Sequence, residues 1–317
     1  MPGFHSHALE VLLELASFLS TRYPRQFAVT RSMYDIEKRE TWGDSISGQE
    51  AGRIKVIRNL ITGEEFDLMK IENEEGPEWN PMKVAGLLTP DDLVVMIEDD
   101  NGEYRFQAGS VVAAGTWRVD DKIGCTLHEI HTSGRGVPMW REKLKPSMER
   151  FFQKLKVDKP FERNNYFFQT DPALSWAAAN GPEAIFDQKR GGPIPDLLQT
   201  SEEPHFKAHG PPEDASKIWF RTERQTLRRM PLTGGILFTI KTQLIPVVDI
   251  AQEPGAPGRL ASSIRAWPQS VSEYKGGPRW LDVLLPYLDR EHQRQLDSGE
   301  ITLNSDGEVE GALRYPW

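Results

Sequence analysis

The run Ile218-Trp219-Phe220-Arg221-Thr222-Glu223-Arg224-Gln225-Thr226-Leu227-Arg228-Arg229 constrains the fold more than any other part of the chain. It is followed by Met230-Pro231-Leu232-Thr233-Gly234-Gly235 and then by Ile236-Leu237-Phe238-Thr239-Ile240-Lys241-Thr242. Two β-prone runs around a Pro/Gly turn predict an antiparallel hairpin. Four arginines and a glutamate sit in its first strand. Charge is costly to bury unless paired, so the hairpin either faces an anionic or redox-active ligand or presents a solvated sheet face. On a strand, Arg221 and Glu223 share one face, and Arg224 and Thr226 share the other.

A chain of 317 residues has room for two domains or for one elaborated α+β domain. Its net charge of -9 argues against nucleic acid as a partner, because such binders carry a basic footprint. A single cysteine, Cys125, excludes an internal disulfide framework and cysteine-based clusters, and fits a reducing, cytoplasmic compartment. A small buried core residue is the expected role for it, ahead of a nucleophile. No apolar run reaches the roughly 18 residues of a membrane span. The stretch Leu9 to Leu19 is interrupted by Glu10 and Glu14, which a secretory core would avoid. Leu9, Leu12, Leu13, Ala16 and Leu19 recur at helical spacing and predict one amphipathic helix.

Further along, Leu93-Val94-Val95-Met96-Ile97 predicts a buried strand, Asp99-Asp100-Asn101-Gly102 a hairpin turn, and Tyr104 to Val112 the partner strand. A turn after Trp117 enters a short helical stretch ending at Leu127-His128-Glu129-Ile130-His131. Leu144, Met148, Phe151, Phe152 and Leu155 predict a helix over Lys143 to Lys156, and Asn164 to Phe168 a strand. The polar stretch Arg39 to Glu50 is turn-like, and Lys55 to Glu78 shows weak periodicity. The stretch Asn180 to Pro212 predicts a long functional or mobile loop. Leu260 to Trp267 and Arg279 to Gln295 look helical, and the end from Asn304 is a polar tail.

Among seven histidines, His128 and His131 stand apart, three residues apart on one helical turn with Glu129 between them. Two histidines could begin a zinc site, but further ligands are not signalled. Haem needs only one protein ligand in an apolar pocket with cations nearby, and fits the inventory better. Phosphate-binding, dinucleotide-binding and serine-nucleophile motifs are absent from the sequence.

At this point the residues meet a family. Tyr104 to Val112 with Trp117 to Gly124, Ile130-His131 with Val137-Pro138, Phe151-Phe152 through Arg163-Asn164-Asn165, and Phe220 to Leu227 with Ile240-Lys241-Thr242 occur in order and at similar spacing. So, more weakly, do Leu260 to Arg265 with Tyr274-Lys275-Gly276. On these blocks the chain resembles the haem-dependent oxidative N-demethylase alpha-subunit-like proteins. The resemblance implies an α+β fold with a PAS-like antiparallel β-sheet and surrounding helices. It also implies one haem-binding domain over residues 1–317, its core at about 80–250 between an N-terminal helix and a C-terminal helical extension. It implies a haem b iron held by one histidine and O2 activated there to oxidise an N-methyl group. The reducing equivalents would come from NADPH through flavin and iron–sulfur partner proteins.

By position, His131 is then the metal ligand and His128 the reserve. Arg224, or Arg221, would face the iron with Glu223 in the catalytic set. Arg118, Lys122 and Arg228 would hold the propionates, with Trp117 beside the cofactor or simply packing. Ala113-Ala114-Gly115-Thr116, the longer connection from His131 to Val137-Pro138 and a shorter N-terminal segment depart from the family pattern. They suggest an amine or related substrate larger than dimethylamine. The competing class is a non-enzymatic haem or small-ligand sensor on the same scaffold, against which the lack of an output module counts.

Overall fold

A computed structural model of the chain describes residues 4–31, 53–73, 79–175, 186–187, 192–193 and 211–310, except 116, 118, 134, 135, 306 and 308. The polar stretch from Arg39 to Glu50, most of the expected 180–212 loop, Thr116 and Arg118 therefore lie outside the described residues.

The predicted N-terminal helix spans Phe4–Arg22 (α1), and Leu9, Leu12, Leu13, Ala16 and Leu19 are buried on it as expected. Its stripe packs on a small antiparallel sheet of β1 (Phe27–Arg31), β2 (Ile54–Asn59) and β3 (Glu65–Asp67), on α2 (Leu68–Asn73) and on α3 (Pro81–Leu88). The weak periodicity of 55–78 concealed β2, β3 and α2. Asn80 caps α3 by accepting from Met82 N and Lys83 N, with Pro81 opening the helix.

The centre is an antiparallel sheet of β4 (Asp92–Glu98), β5 (Tyr104–Ser110), β6 (Phe161–Gln169), β7 (Trp219–Arg229) and β8 (Ile236–Pro246), in the order β5-β4-β8-β7-β6. The arginine-rich hairpin is thus β7–β8, in unbroken register from Trp219↔Pro246 to Arg229↔Ile236. β4 is buried on both faces. Leu93 and Val95 join the core under α1, while Val94 and Met96 join a second core with Phe106, Leu127, Trp140 and Phe152. That two-sided burial is why its sequence is continuously apolar and does not alternate.

The second core lies under α4 (Val119–Lys122), α5 (Leu127–Thr132) and α6 (Lys145–Lys154). Cys125 is buried at the head of this segment. The helix expected over 143–156 begins differently, with a π-helical turn at Trp140–Leu144 entered through Met139 in the left-handed region (φ 59°). Pro146 has no N–H to offer and its ring would crowd the carbonyl four residues back, so the turn widens before α6 starts. A third core gathers α7 (Val247–Ile250), α8 (Ala256–Arg265) and α10 (Leu281–Asp297) around Phe168, Ile218 and Trp280, and between α8 and α10 lies α9 (Gln269–Tyr274), which buries no residue. Helices packed on antiparallel sheets make the fold α+β.

Two acidic residues of α1 explain themselves in this frame. Glu10, 1% exposed, accepts from Leu232 N (2.7 Å), Thr233 N (3.0 Å) and Thr233 Oγ1, so it closes the β7–β8 turn. Glu14 pairs with Arg228 at 3.0 Å.

Candidate functional site

The site begins with α5, a helix of six residues. So short a helix does not form by propensity; it is pinned at both ends. Thr126 Oγ1 accepts from Glu129 N at 3.1 Å and Glu129 Oε2 accepts from Thr126 N at 2.8 Å, a reciprocal capping box. At the other end, buried Lys122 donates to Ser133 Oγ and to Ile130 O (3.4 Å). Lys122, expected at a propionate, thus braces the helix C-terminus, where a cation is favoured.

His131 is half-buried on this helix. Its Nδ1 lies 2.7 Å from Leu127 O; a carbonyl only accepts, so Nδ1 carries the proton and Nε2 keeps its lone pair. Burial pushes the ring down to about 4, against the Leu127 bond that raises it, with Arg163, Lys122 and His128 adding to the fall. The imidazole is therefore neutral near pH 7, the form that binds metals.

Trp140 on the π-helical turn stacks on this ring with centroids 4.0 Å apart and planes 1° from parallel. Its indole Nε1 donates to His128 Nδ1 at 2.9 Å. An indole nitrogen can only donate, so His128 carries its proton on Nε2, and both of its nitrogens are committed in this state. The two histidines are thereby distinguished: His131 offers a free lone pair and His128 holds Trp140.

A cavity of about 780 Å³ opens beside them, within the range of cofactor sites. One wall is His131, Val137, Pro138, Met139 and Trp140; the facing wall is Tyr274, Pro278 and Arg279 from α9 and the turn after it. Arg141 and Glu142 line it as well.

The sheet face turned toward α5 and α6 carries an unusual polar ladder. Arg163 Nε donates to Gln225 Oε1 (2.7 Å), Gln225 Nε2 to Glu223 Oε2 (3.0 Å), and Asn165 Nδ2 to the same oxygen (3.3 Å). Arg221 Nε lies 3.5 Å from Glu223 Oε1. Lys275, from the end of α9, reaches over the edge strand to Asn165 Oδ1 (3.2 Å) and Tyr166 O, resting on the Tyr166 and Trp267 rings. Strand pairing puts Arg163 opposite Gln225 and Asn165 opposite Glu223, so the ladder is a direct consequence of register.

Arg221 is fully buried. It donates to Leu174 O (2.8 Å), Gln169 Oε1 (3.4 Å), Thr242 Oγ1 (3.5 Å) and Ala113 O. Asp92 in turn accepts from Val112 N (2.7 Å) and Ala113 N (2.9 Å), fixing the corner that covers Arg221. Gly115 belongs to that corner because a Cβ there would stand 2.5 Å from Phe167 Cζ. The segment Ala113-Ala114-Gly115 is thus shaped by Arg221.

The four arginines of β7 diverge. Arg224, expected toward the iron, lies on the opposite face from Arg221 and Glu223, mostly exposed and paired with Glu162 at 2.7 Å. The strand's period of two sets this, since Glu223, Gln225 and Leu227 take the inner face. Arg228, expected at a propionate, is turned to the α1 side by its pair with Glu14. Arg229 ties down the end of α6, donating to Phe152 O (2.5 Å) and Leu155 O (2.7 Å). Trp117 packs edge-on against Phe106 in the second core. Of the expected set, His131, His128, Arg221 and Glu223 share the inner side of the sheet. Trp140, Arg163 and the Tyr274–Arg279 wall join them without having been anticipated. A tryptophan two residues after Pro138, and the odd-numbered pairing of β6 with β7, were the available signals.

Among the described residues no group of three or more His, Cys, Asp or Glu side chains comes together as a metal site, and no helix is long and apolar enough to cross a membrane. A family model described as "Haem-dependent oxidative N-demethylase, alpha subunit-like" matches residues 1–285.

Proposed function

The chain belongs to the haem-dependent oxidative N-demethylase, alpha-subunit-like family, and on that premise we propose that it is a haem-dependent monooxygenase acting on an amine or related small organic substrate, with His131 as the residue that would hold the haem iron. The observation that carries this reading is the state of one ring: Nδ1 tied to Leu127 O, Nε2 uncommitted, the imidazole neutral, on the wall of a cavity of about 780 Å³. A histidine that would hold the iron needs that arrangement, because the bond at Nδ1 fixes both tautomer and orientation. The donor set fits haem, which takes one protein ligand, better than a structural metal, which takes several.

When bound, the haem supplies O2 activation, with electrons from NADPH through a separate flavin and iron–sulfur reductase. The protein's part is placement. Trp140 holds the His131 ring from one side and keeps His128 engaged. Val137, Pro138 and Met139 give that wall an apolar lining, while the Glu223 ladder gives the inner face fixed charge and hydrogen-bond donors in a low-dielectric setting. The sheet order β5-β4-β8-β7-β6, with helices against it, supports a PAS-like description and a single haem-binding domain.

The test is the absorption spectrum of haem-supplemented protein. Wild type and His128→Ala are expected to show a Soret band, and His131→Ala to lose or shift it. A band lost only in His128→Ala, or absent from wild type, would overturn the assignment.

A further inference from the structure

The cations expected at the site are engaged elsewhere: Arg224 with Glu162, Arg228 with Glu14, Lys122 at the end of α5, and Arg221 among carbonyl oxygens. Two other guanidiniums line the cavity itself. Arg141 follows the Trp140 that stacks on His131, and Arg279 comes from the facing wall. Each wall therefore carries one cation.

Arg279 is the more firmly mounted of the two. It closes one turn of 3₁₀ helix, Gly277–Arg279, that is fastened on both sides. Ahead of the turn, Lys275 Nζ donates to Asn165 Oδ1 at 3.2 Å. Behind it, Trp280 is 1% exposed and packs on Phe168 with ring centroids 4.7 Å apart. Within it, Arg279 N donates to Gly276 O (3.1 Å) and Trp280 N to Gly277 O (3.0 Å). A Cβ at position 277 would stand 2.9 Å from Ser272 O, so only glycine lets the turn sit this close to α9. Arg279 is half-buried, whereas Arg141 is exposed. Burial lowers the Arg279 guanidinium from its ordinary range, and a cation so placed gains from an anion brought beside it. The carboxylates of the lining, Glu142 and Glu273, are both exposed, and Glu273 accepts from Gln269 Nε2 at 2.8 Å.

The geometry points to Arg279 as the residue that binds a carboxylate inside this cavity, with Arg141 as a weaker second contact. On the proposed reading that the cavity holds haem, these carboxylates are its propionates. A guanidinium presents a planar fork that matches the two oxygens of a carboxylate. A fork carried on a fixed turn also loses less freedom on binding than one on a mobile segment. Arg141 contributes less because water screens an exposed pair.

Iron-free protoporphyrin IX and its dimethyl ester separate carboxylate recognition from iron ligation, and porphyrin fluorescence reads their binding. Arg279→Gln is expected to weaken protoporphyrin IX about tenfold or more and to leave the diester unchanged. Arg279→Lys, which keeps the charge without the fork, should fall between, and Arg141→Gln should cost less than Arg279→Gln. Arg224→Gln serves as the charge-matched control and should bind both porphyrins as wild type does. His131→Ala should leave protoporphyrin IX affinity within about twofold, so a failed ligand assignment shows in the Soret experiment and a failed carboxylate assignment here. Equal affinities of wild type and Arg279→Gln for protoporphyrin IX would overturn the proposal. So would an equal loss for acid and diester, or Arg279→Gln weakening azide at the iron with porphyrin affinity intact.

Discussion

Glu10 offers the sharpest quantitative test of how the site's scaffold is held. It projects from α1 into the β7–β8 turn and satisfies three donors there, two of them backbone N–H groups, from a position 1% exposed. Truncation in Glu10→Ala strips all three. Each buried donor left without a partner costs about 1–3 kcal/mol. Two effects reduce the sum: Leu232 is 57% exposed, so water reaches part of the turn, and removal of the carboxylate also removes its own desolvation cost. The net expectation is a loss of about 2–4 kcal/mol, a large share of the roughly 5–15 kcal/mol typical of a folded protein. Urea unfolding should show a lower midpoint at an unchanged slope. Glu10→Gln should recover less than half, because its amide N–H₂ faces the Thr233 donors with nothing to accept. Phe18→Ala, at an exposed position of the same helix, should be nearly silent. A loss under about 0.5 kcal/mol in Glu10→Ala, or a neutral Glu10→Gln, would refute the assignment of Glu10 as the clasp of the hairpin.

Two further outcomes follow from the site itself. Burial lowers Lys275 from 10.5 to about 8, so between about pH 8 and 10.5 the unfolded chain holds this proton more tightly than the folded one. Stability contributed by this group therefore rises with pH across that window, by at most about 3 kcal/mol, and denaturation curves of wild type minus Lys275→Met should show the rise; a flat difference contradicts it. Trp140→Ala removes both the stacked face on His131 and the donor to His128, and haem affinity by Soret titration should drop about tenfold, with Trp140→Phe between; affinities equal to wild type would dissociate Trp140 from the ligand.

What could be read in advance followed from periodicity. Leu9 to Leu19, Leu93 to Ile97 with its Asn-Gly turn, and the long hairpin each show a one-dimensional pattern that burial enforces, and each became the expected element. The same rule of alternation showed that Arg221 and Glu223 part company with Arg224; which face turned inward was decided by Leu227 and by the neighbour strand, information that no single strand contains. The α2 and β1–β3 elements are too short to develop a period. Nor could the sequence expose the partners of Arg228 and Glu10, whose contacts join segments far apart in the chain. Trp140 was hidden for another reason: its role depends on a π-helical turn imposed by Pro146, which slides the aromatic ring over the histidine.

The cavity has one consequence for how the protein comes into being. One of its walls lies in residues 131–142 and the other in residues 270–279, while the Lys275 latch that brings the second wall home closes over β6. A ribosome exposes the first wall long before the second, and domains form from the N-terminal side as synthesis proceeds. The emerging polypeptide can carry a finished histidine helix without a chamber around it. If this chamber takes the haem, as proposed, capture is a late event in biogenesis, and a chain halted before Tyr274 would be released without its chamber, however complete its sheet.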